Sequence, residues 1–139
     1  MEGFGHVVEQ RVEFRDLDGL GHVNNAVYLS YVETARLAYM QDVLGPLELE
    51  ELGIVAEARI TFRSSAFLGE NLEVGTRVAD VGDKSMRFDF EIHGADGRLV
   101  ADGHTVHVTY DYATRTPIAV PEDWRSRIDA HETRSLART

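Results

Sequence analysis

No cysteine occurs among the 139 residues, which removes disulfides, thiolate catalysis and thiolate-bound zinc and gives no sign of an oxidising compartment. Only three prolines interrupt the chain. There is no internal repeat or low-complexity tract, and no apolar run approaches the roughly 18 residues of a membrane-crossing helix. Basic residues are scarce: 14 Lys and Arg stand against 24 Asp and Glu, a net charge of -10. Such a balance opposes non-specific association with nucleic acid or anionic membranes, so neither is expected as a partner. A polyanionic ligand would have to be met by a local basic patch. The opening MEGFGHVVEQ has neither the basic start nor the apolar core of a secretion signal, and the expected location is the cytoplasm.

What is present is the composition of a globular domain, 43% hydrophobic and 27% charged. At this length a single core buries roughly two-thirds of the unfolded surface. One domain is expected over residues 1–130, with a polar tail at 131–139.

The order of elements reads strand, helix, then several strands. RVEFR (11–15) alternates, with Val12 and Phe14 on one face, and predicts a half-buried strand. From Ala26, apolar and small residues (Val27, Tyr28, Tyr31, Val32, Ala35, Ala38, Tyr39) recur at spacings of three and four up to Gly45-Pro46, predicting a helix of about five turns. EARITFR (57–63) places Ala58, Ile60 and Phe62 on one face, and NLEVGTRVADV (71–81) follows as a further strand. KSMRFDFEI (84–92) alternates strictly and ends at a Gly-Ala-Asp-Gly turn. RLVADGHTVHVTYDY (98–112) reads as a long strand with Val106, Val108 and Tyr110 in phase. About five strands joined by short turns after one helix argue for a largely antiparallel sheet in an α+β arrangement. From Pro121 a short helix containing Trp124 and Ile128 is expected, followed by mobile last residues.

The chemistry gathers in DLDGLGHVNNAVYLSYVE, residues 16–33. A calcium loop is the first candidate, and it fails on register: counting from Asp16, Asp18 and Gly21 fit, but Leu20 and Val27 stand where oxygen ligands belong. A transition-metal site from Asp16, Asp18 and His22 lacks an obvious further ligand, since His104 and His107, three apart on a strand, point to opposite faces. No metal or cofactor is expected. A second candidate is a helix cap by Asn24 or Asn25, which would satisfy an orphan amide but leaves Asp18, Gly19, Gly21 and His22 without a reason. The third is an active site, in which a carboxylate, an imidazole and unpaired helix-terminal amides activate water and hold a developing oxyanion. On chemistry alone, cap and active site both stay open.

The string RDLDGLGHVNNAVYLSYVETAR (15–36) resembles the signature of hotdog-fold acyl-CoA thioesterases of the 4-hydroxybenzoyl-CoA thioesterase type, shared with acyl-ACP thioesterases. Asp18, His22, Asn24, Asn25, Tyr28, Glu33 and Arg36 all fall in register, and the likeness extends over about residues 8–125. It implies a hotdog fold, an antiparallel sheet of about five strands wrapped around one long helix. It also implies hydrolysis of an acyl-CoA, or an acyl-ACP, to the carboxylic acid and free thiol. Asp18 matches the family's general base or nucleophile, and the Asn25 amide matches the donor to the thioester oxygen. His22 matches a histidine that other members lack, and Leu20 stands where the acyl-ACP enzymes carry asparagine. Asn24 and Tyr28 fall among the expected substrate contacts. The segment GDKSMRF (82–88) resembles the stretch that meets the nucleotide phosphates, so Lys84 and Ser85, with Arg63 or Arg87, would form the basic patch. Glu33 and Arg36 have the spacing of a helical ion pair. Sites of this family lie between subunits, which implies a homodimer or homotetramer. Competing readings are a hotdog dehydratase or hydratase, which commonly uses a His with an acid on the partner's helix whereas Asp18 stands before the helix, and a non-catalytic acyl-CoA-binding protein.

Overall fold

The computed structural model describes residues 1–138, with side chains through residue 135. Strand β1 is His6–Arg11, helix α1 is Val27–Leu44, and β2 (Ile54–Phe62), β3 (Asn71–Val81), β4 (Ser85–His93) and β5 (Leu99–Val108) follow in turn. A two-residue hairpin, β6 (Tyr110–Asp111) with β7 (Thr116–Pro117), leads to helix α2 (Glu122–Arg138). The main sheet is antiparallel throughout, in the order β1-β3-β4-β5-β2.

Met86, Phe88, Phe90 and Ile92 of β4 are all buried, as their alternation requires, and Leu72, Val74, Thr76 and Val78 of β3 join them on the inner face. Against this face packs α1, whose Tyr28, Tyr31, Val32, Ala35, Tyr39, Met40 and Leu44 are buried at helical spacing. Phe62 shares its side of the sheet with Ala101 opposite, and Ile60 with Gly103. The helix lies over β1 and β3, so the inner face of β2 is left largely open, with Val55 and Phe62 exposed.

Three expectations need correction. The first strand lies earlier than RVEFR: Val12 is buried, but residues 14–16 form a 3-10 turn closed by reciprocal Glu13 and Asp16 capping, which leaves Phe14 79% exposed. Capping by two acidic side chains overrides an alternation only five residues long. The last strand ends at Val108, and the buried set at that end is Thr105, His107 and Thr109, the opposite phase to Val106 and Val108. Arg36 of α1 is buried at the same end, lining a cavity with His107.

The final helix is not short. It runs from Glu122 to Arg138, and its Trp124 and Ile128 complete a second core cluster with Tyr39, Met40, Leu44 and Phe88. The Glu132 carboxylate accepts from the Tyr39 hydroxyl and, at 3.2 Å, from the Val78 N–H. Burial, reinforced by that carboxylate, pushes ionisation of Tyr39 far above its ordinary range. Residue 139 lies outside the described residues.

Candidate active site

Residues 13–26 form a knot in front of α1. An antiparallel bridge between Leu17 and Val23 closes a small loop, inside which the Asp18 N–H donates to the His22 carbonyl at 2.9 Å. Gly21 takes a positive φ of 87°, the left-handed conformation that permits so tight a return. Asp18 uses one carboxylate oxygen to accept from the Leu20 N–H at 2.8 Å, and its other oxygen lies 3.2 Å from Nδ1 of His22. Both side chains are partly open to solvent, at 26% and 30%. The carboxylate is therefore held by its own loop on one side and meets the imidazole on the other.

The knot is fastened to the core at Val23 and at Asp16, and closed on itself through Asn24 and Glu13. Val23 N–H donates to the Ala66 carbonyl at 2.9 Å, and Asn24 N–H to the Asp16 carbonyl at 2.9 Å. The Asp16 carboxylate accepts from the Tyr31 hydroxyl at 2.6 Å and from the Glu13 N–H at 2.9 Å, fixing the loop to the second turn of α1. Burial first, then this carboxylate, keeps the Tyr31 hydroxyl protonated well beyond its usual range. Beside the knot, segment 64–70 bridges to it through His22 and Phe67. Arg98 holds that segment, pairing with Glu70 at 2.7 Å and donating to the Ser65 carbonyl at 2.7 Å. The Arg98 guanidinium in turn holds the Glu70 carboxyl below the usual range.

The helix start departs from the simple cap. The first helical residue is Val27, the cap position is Ala26, and no side chain caps it. Asn24 instead bridges its own turn: its Oδ1 accepts from the Ala26 N–H at 3.0 Å and its carbonyl from the Val27 N–H at 2.9 Å. Among the described residues no acceptor receives the Asn25 N–H. The knot thus offers a partly exposed carboxylate, an imidazole and an unengaged amide at the head of a helix, the combination that activates water beside a polarised carbonyl.

Other expected residues fall elsewhere. Tyr28 is a core residue, 2% exposed, its ring packed against Tyr31 and Phe62, and burial raises its pKa. Arg63, near the knot at the end of β2, pairs with Asp102 at 3.2 Å. Lys84 is exposed in the β3–β4 turn, and Ser85 pairs with Val108, whereas the knot lies near Val100 at the other end of β5. Eight residues of strand separate the two, about 25 Å, so one chain does not bring Lys84 and Ser85 to Asp18. No ion pair forms between Glu33 and Arg36; the guanidinium is buried and the carboxylate exposed. His107 faces inward and His104 lies 3.5 Å from Glu57, on opposite faces as their spacing requires. Among the described residues no group of three or more His, Cys, Asp or Glu is placed to hold a metal ion, Asp16, Asp18 and His22 included.

Sequence reasoning missed the fastening role of Asp16 and Tyr31, although the first aspartate of D-x-D and an in-phase helical tyrosine were both visible. It also missed the pairing of Glu70 with Arg98, which are far apart in sequence and carried no local signal.

A five-stranded antiparallel sheet packed on one long helix is the hotdog fold, here with an acid-bearing knot at the helix head. The family model of the thioesterase-like superfamily matches residues 12–128, and the chain belongs to that family. The activity that goes with this membership is thioester hydrolysis.

A thioesterase from Thermus thermophilus, solved in complex with coenzyme A and Zn, is 40% identical and superposes with a TM-score of 0.88, covering 96% of this chain and 98% of that one. The predicted acyl-CoA thioesterase YneP of Bacillus subtilis (strain 168) is 28% identical over 132 residues, 87% of this chain and 94% of its own length. Zebrafish (Danio rerio) protein THEM6 is 34% identical over 82 residues, which are 57% of this chain and only 41% of that protein. No helix among the described residues is long and apolar enough to cross a membrane.

Proposed function

We propose that the protein hydrolyses acyl-CoA thioesters to the carboxylic acid and free coenzyme A. In this reading the thioester carbonyl sits at the head of α1 with its oxygen toward the Asn25 N–H. Asp18 acts either as general base, taking a proton from the attacking water, or as nucleophile forming an anhydride that water then opens. Attack builds negative charge on the carbonyl oxygen, which the amide stabilises; the C–S bond breaks and the thiolate leaves with a proton. The observation that carries the reading is the Asp18 carboxylate, pinned through one oxygen while the other faces His22, just before a helix start whose Asn25 amide is unengaged. His22 positions the loop or the substrate, and Asn24 shapes the turn.

A homodimer is the form that suits this geometry. Strand β2 is a sheet edge exposed along most of its length, with Ile54, Val55 and Phe62 open, and such an edge is a ready site for pairing with a second copy. In a dimer the partner copy, rather than the chain that supplies Asp18, would bring its Lys84-Ser85 turn to the nucleotide, while Arg63 lies on the near side. The absence of cysteine suits a cytoplasmic setting.

The test is release of free thiol from an acyl-CoA panel by the wild type, Asp18→Asn and His22→Ala. Asp18→Asn should lose at least about a hundredfold in turnover with melting temperature and oligomeric state unchanged, the scale of a positioned acid or base, and His22→Ala should lose less. An Asp18→Asn variant keeping half the wild-type rate would overturn the assignment; acyl-CoA binding without thiol release by the wild type would show a binding protein instead.

A further inference from the structure

The chain from Arg63 to Glu70, which follows β2, buries only one side chain, that of Ala66; Phe67 and Leu68 are open to solvent. Apolar burial therefore does little to hold it, and polar contacts take that part. Arg98, just before β5, reaches across to it. Its Nη1 lies 2.7 Å from Oε2 of Glu70, while its Nη2 donates at 2.8 Å to Oε1 of the same carboxylate and at 2.7 Å to the Ser65 carbonyl. A two-pronged contact of this kind fixes the plane of a carboxylate as well as its distance. The same Oε1 accepts from the Phe67 N–H at 3.1 Å. Asp96, in the β4–β5 turn, steadies the guanidinium at 2.8 Å. A Cβ at Gly94 in that turn would collide with Arg98 Nη1 and Glu70 Oε2, so glycine there leaves the guanidinium room to cross.

From Phe67 the contacts continue into the catalytic loop. Phe67 pairs with His22 in an antiparallel bridge, and the adjacent Ala66 carbonyl accepts from the Val23 N–H at 2.9 Å. Nδ1 of His22 then lies 3.2 Å from the Asp18 carboxylate. The charges of Glu70, Arg98 and Asp18 all act on the Tyr28 hydroxyl, so the clamp and the catalytic carboxylate stand about the same point. Arg98 is paired with Glu70 and Asp96 and not with Asp18, whose partners are His22 and the Leu20 N–H. What the clamp does to the site passes through the backbone of residues 66 and 67.

We infer that Glu70 and Arg98 are positioning residues of the hydrolysis, which set the approach of His22 to Asp18 through the Phe67 backbone. This rests on the acyl-CoA hydrolase reading above. Without the guanidinium, Glu70 turns to water, the Phe67 N–H loses its acceptor, and the strip that backs His22 and Val23 loosens while the main sheet keeps its pairing. The loss then falls on the chemical step rather than on substrate binding.

The experiment measures acyl-CoA turnover and amide hydrogen exchange on the wild type, Arg98→Met, Arg98→Lys and Gly94→Ala. Arg98→Met should lower kcat roughly tenfold with KM changed by less than about twofold, the result of a small displacement at reacting groups. Exchange at the Phe67 and Val23 amides should quicken about tenfold, with the β4 amides of Phe88 and Phe90 at the wild-type rate, as local loosening requires. Arg98→Lys keeps the charge without the fork and should fall between. Gly94→Ala displaces the guanidinium without removing it and should reproduce part of the kcat loss. A folded Arg98→Met with wild-type kcat overturns the inference, and so does exchange that quickens equally in β4, which would make the clamp a support of the whole fold. If Arg98→Met does not fold, Arg98→Lys and Gly94→Ala decide by the same two readouts. If the wild type releases no thiol from any acyl-CoA, the hydrolase reading fails and the catalytic role with it, whereas unchanged exchange at Phe67 and Val23 overturns the clamp alone.

Discussion

Tyr31→Phe deletes one oxygen and leaves the ring in place, yet it cuts the bond that ties the acidic knot to the helix. Tyr31 is 4% exposed and its hydroxyl donates to the Asp16 carboxylate at 2.6 Å. Hydrogen bonds to charged groups contribute about 1.5–3 kcal/mol. Asp16 is partly exposed and keeps the Glu13 N–H at 2.9 Å, so water replaces much of what is lost. A destabilisation near the low end, about 1.5 kcal/mol, is expected in urea denaturation. The kinetic effect should be larger in proportion, because the loop from Asp16 to Asn24 carries Asp18, and a displacement of about 1 Å at a reacting group costs up to a hundredfold. We expect kcat for an acyl-CoA to fall roughly tenfold with KM little changed. A double-mutant cycle with Asp16→Asn should show coupling of about 1 kcal/mol, since the two residues share one bond. A Tyr31→Phe enzyme with wild-type kcat and stability, or a cycle with no coupling, would refute the claim that this bond positions the site.

Three further outcomes follow from other parts of the molecule. Glu132→Ala strips the acceptor from the buried Tyr39 hydroxyl and Val78 N–H and should cost about 2–5 kcal/mol in urea denaturation; a loss under about 1 kcal/mol would mean that α2 contributes little to the fold. Lys84→Ala should raise KM for acyl-CoA, less so at high salt, and barely alter hydrolysis of an acyl-pantetheine; equal loss on both substrates would remove Lys84 from nucleotide recognition. His107 should make stability pH-dependent, because its folded pKa of about 4 lies below the unfolded 6.5. The unfolded chain takes up the proton first, so stability present above pH 6.5 is lost as pH falls toward 4, by about 3 kcal/mol in all. His107→Gln should flatten that part of the stability curve, and an unchanged curve would refute the assignment.

Local signals account for what could be read before the fold was known. The three- and four-residue recurrence from Val27 onward specifies α1 because a helix needs only one consistent apolar face. Strict alternation specifies β4, and the boundaries of β3 coincide with Asn71–Val81 as read from the chain. The resemblance over residues 15–36 pointed to the acidic loop before the helix, and the close approach of Asp18 to His22 is itself local, four residues apart in a tight turn. Where two local preferences competed, at residues 11–16, acidic capping prevailed over alternation and the strand moved upstream.

Other features depend on residues that meet only after the chain has closed. Trp124 and Ile128 hint at a helix, but its length and docking follow from Glu132 reaching Tyr39 across 93 residues of sequence. Arg36 reads as half of a surface ion pair with Glu33, and the fold buries it instead, because α1 lies over β1 and β3 and turns that side toward the open face of β2 and β5. The distance between Lys84 and Asp18 is likewise a property of the sheet, since β5 runs the full length between them. Composition, spacing and motif thus determined the class of fold, its principal helix and the acidic loop, all of which rest on contacts within a few turns or on a periodic face. Tertiary structure alone decided the burial of Arg36 and the fastening of the site, because burial and long-range pairing are set by which surfaces the closed chain brings together.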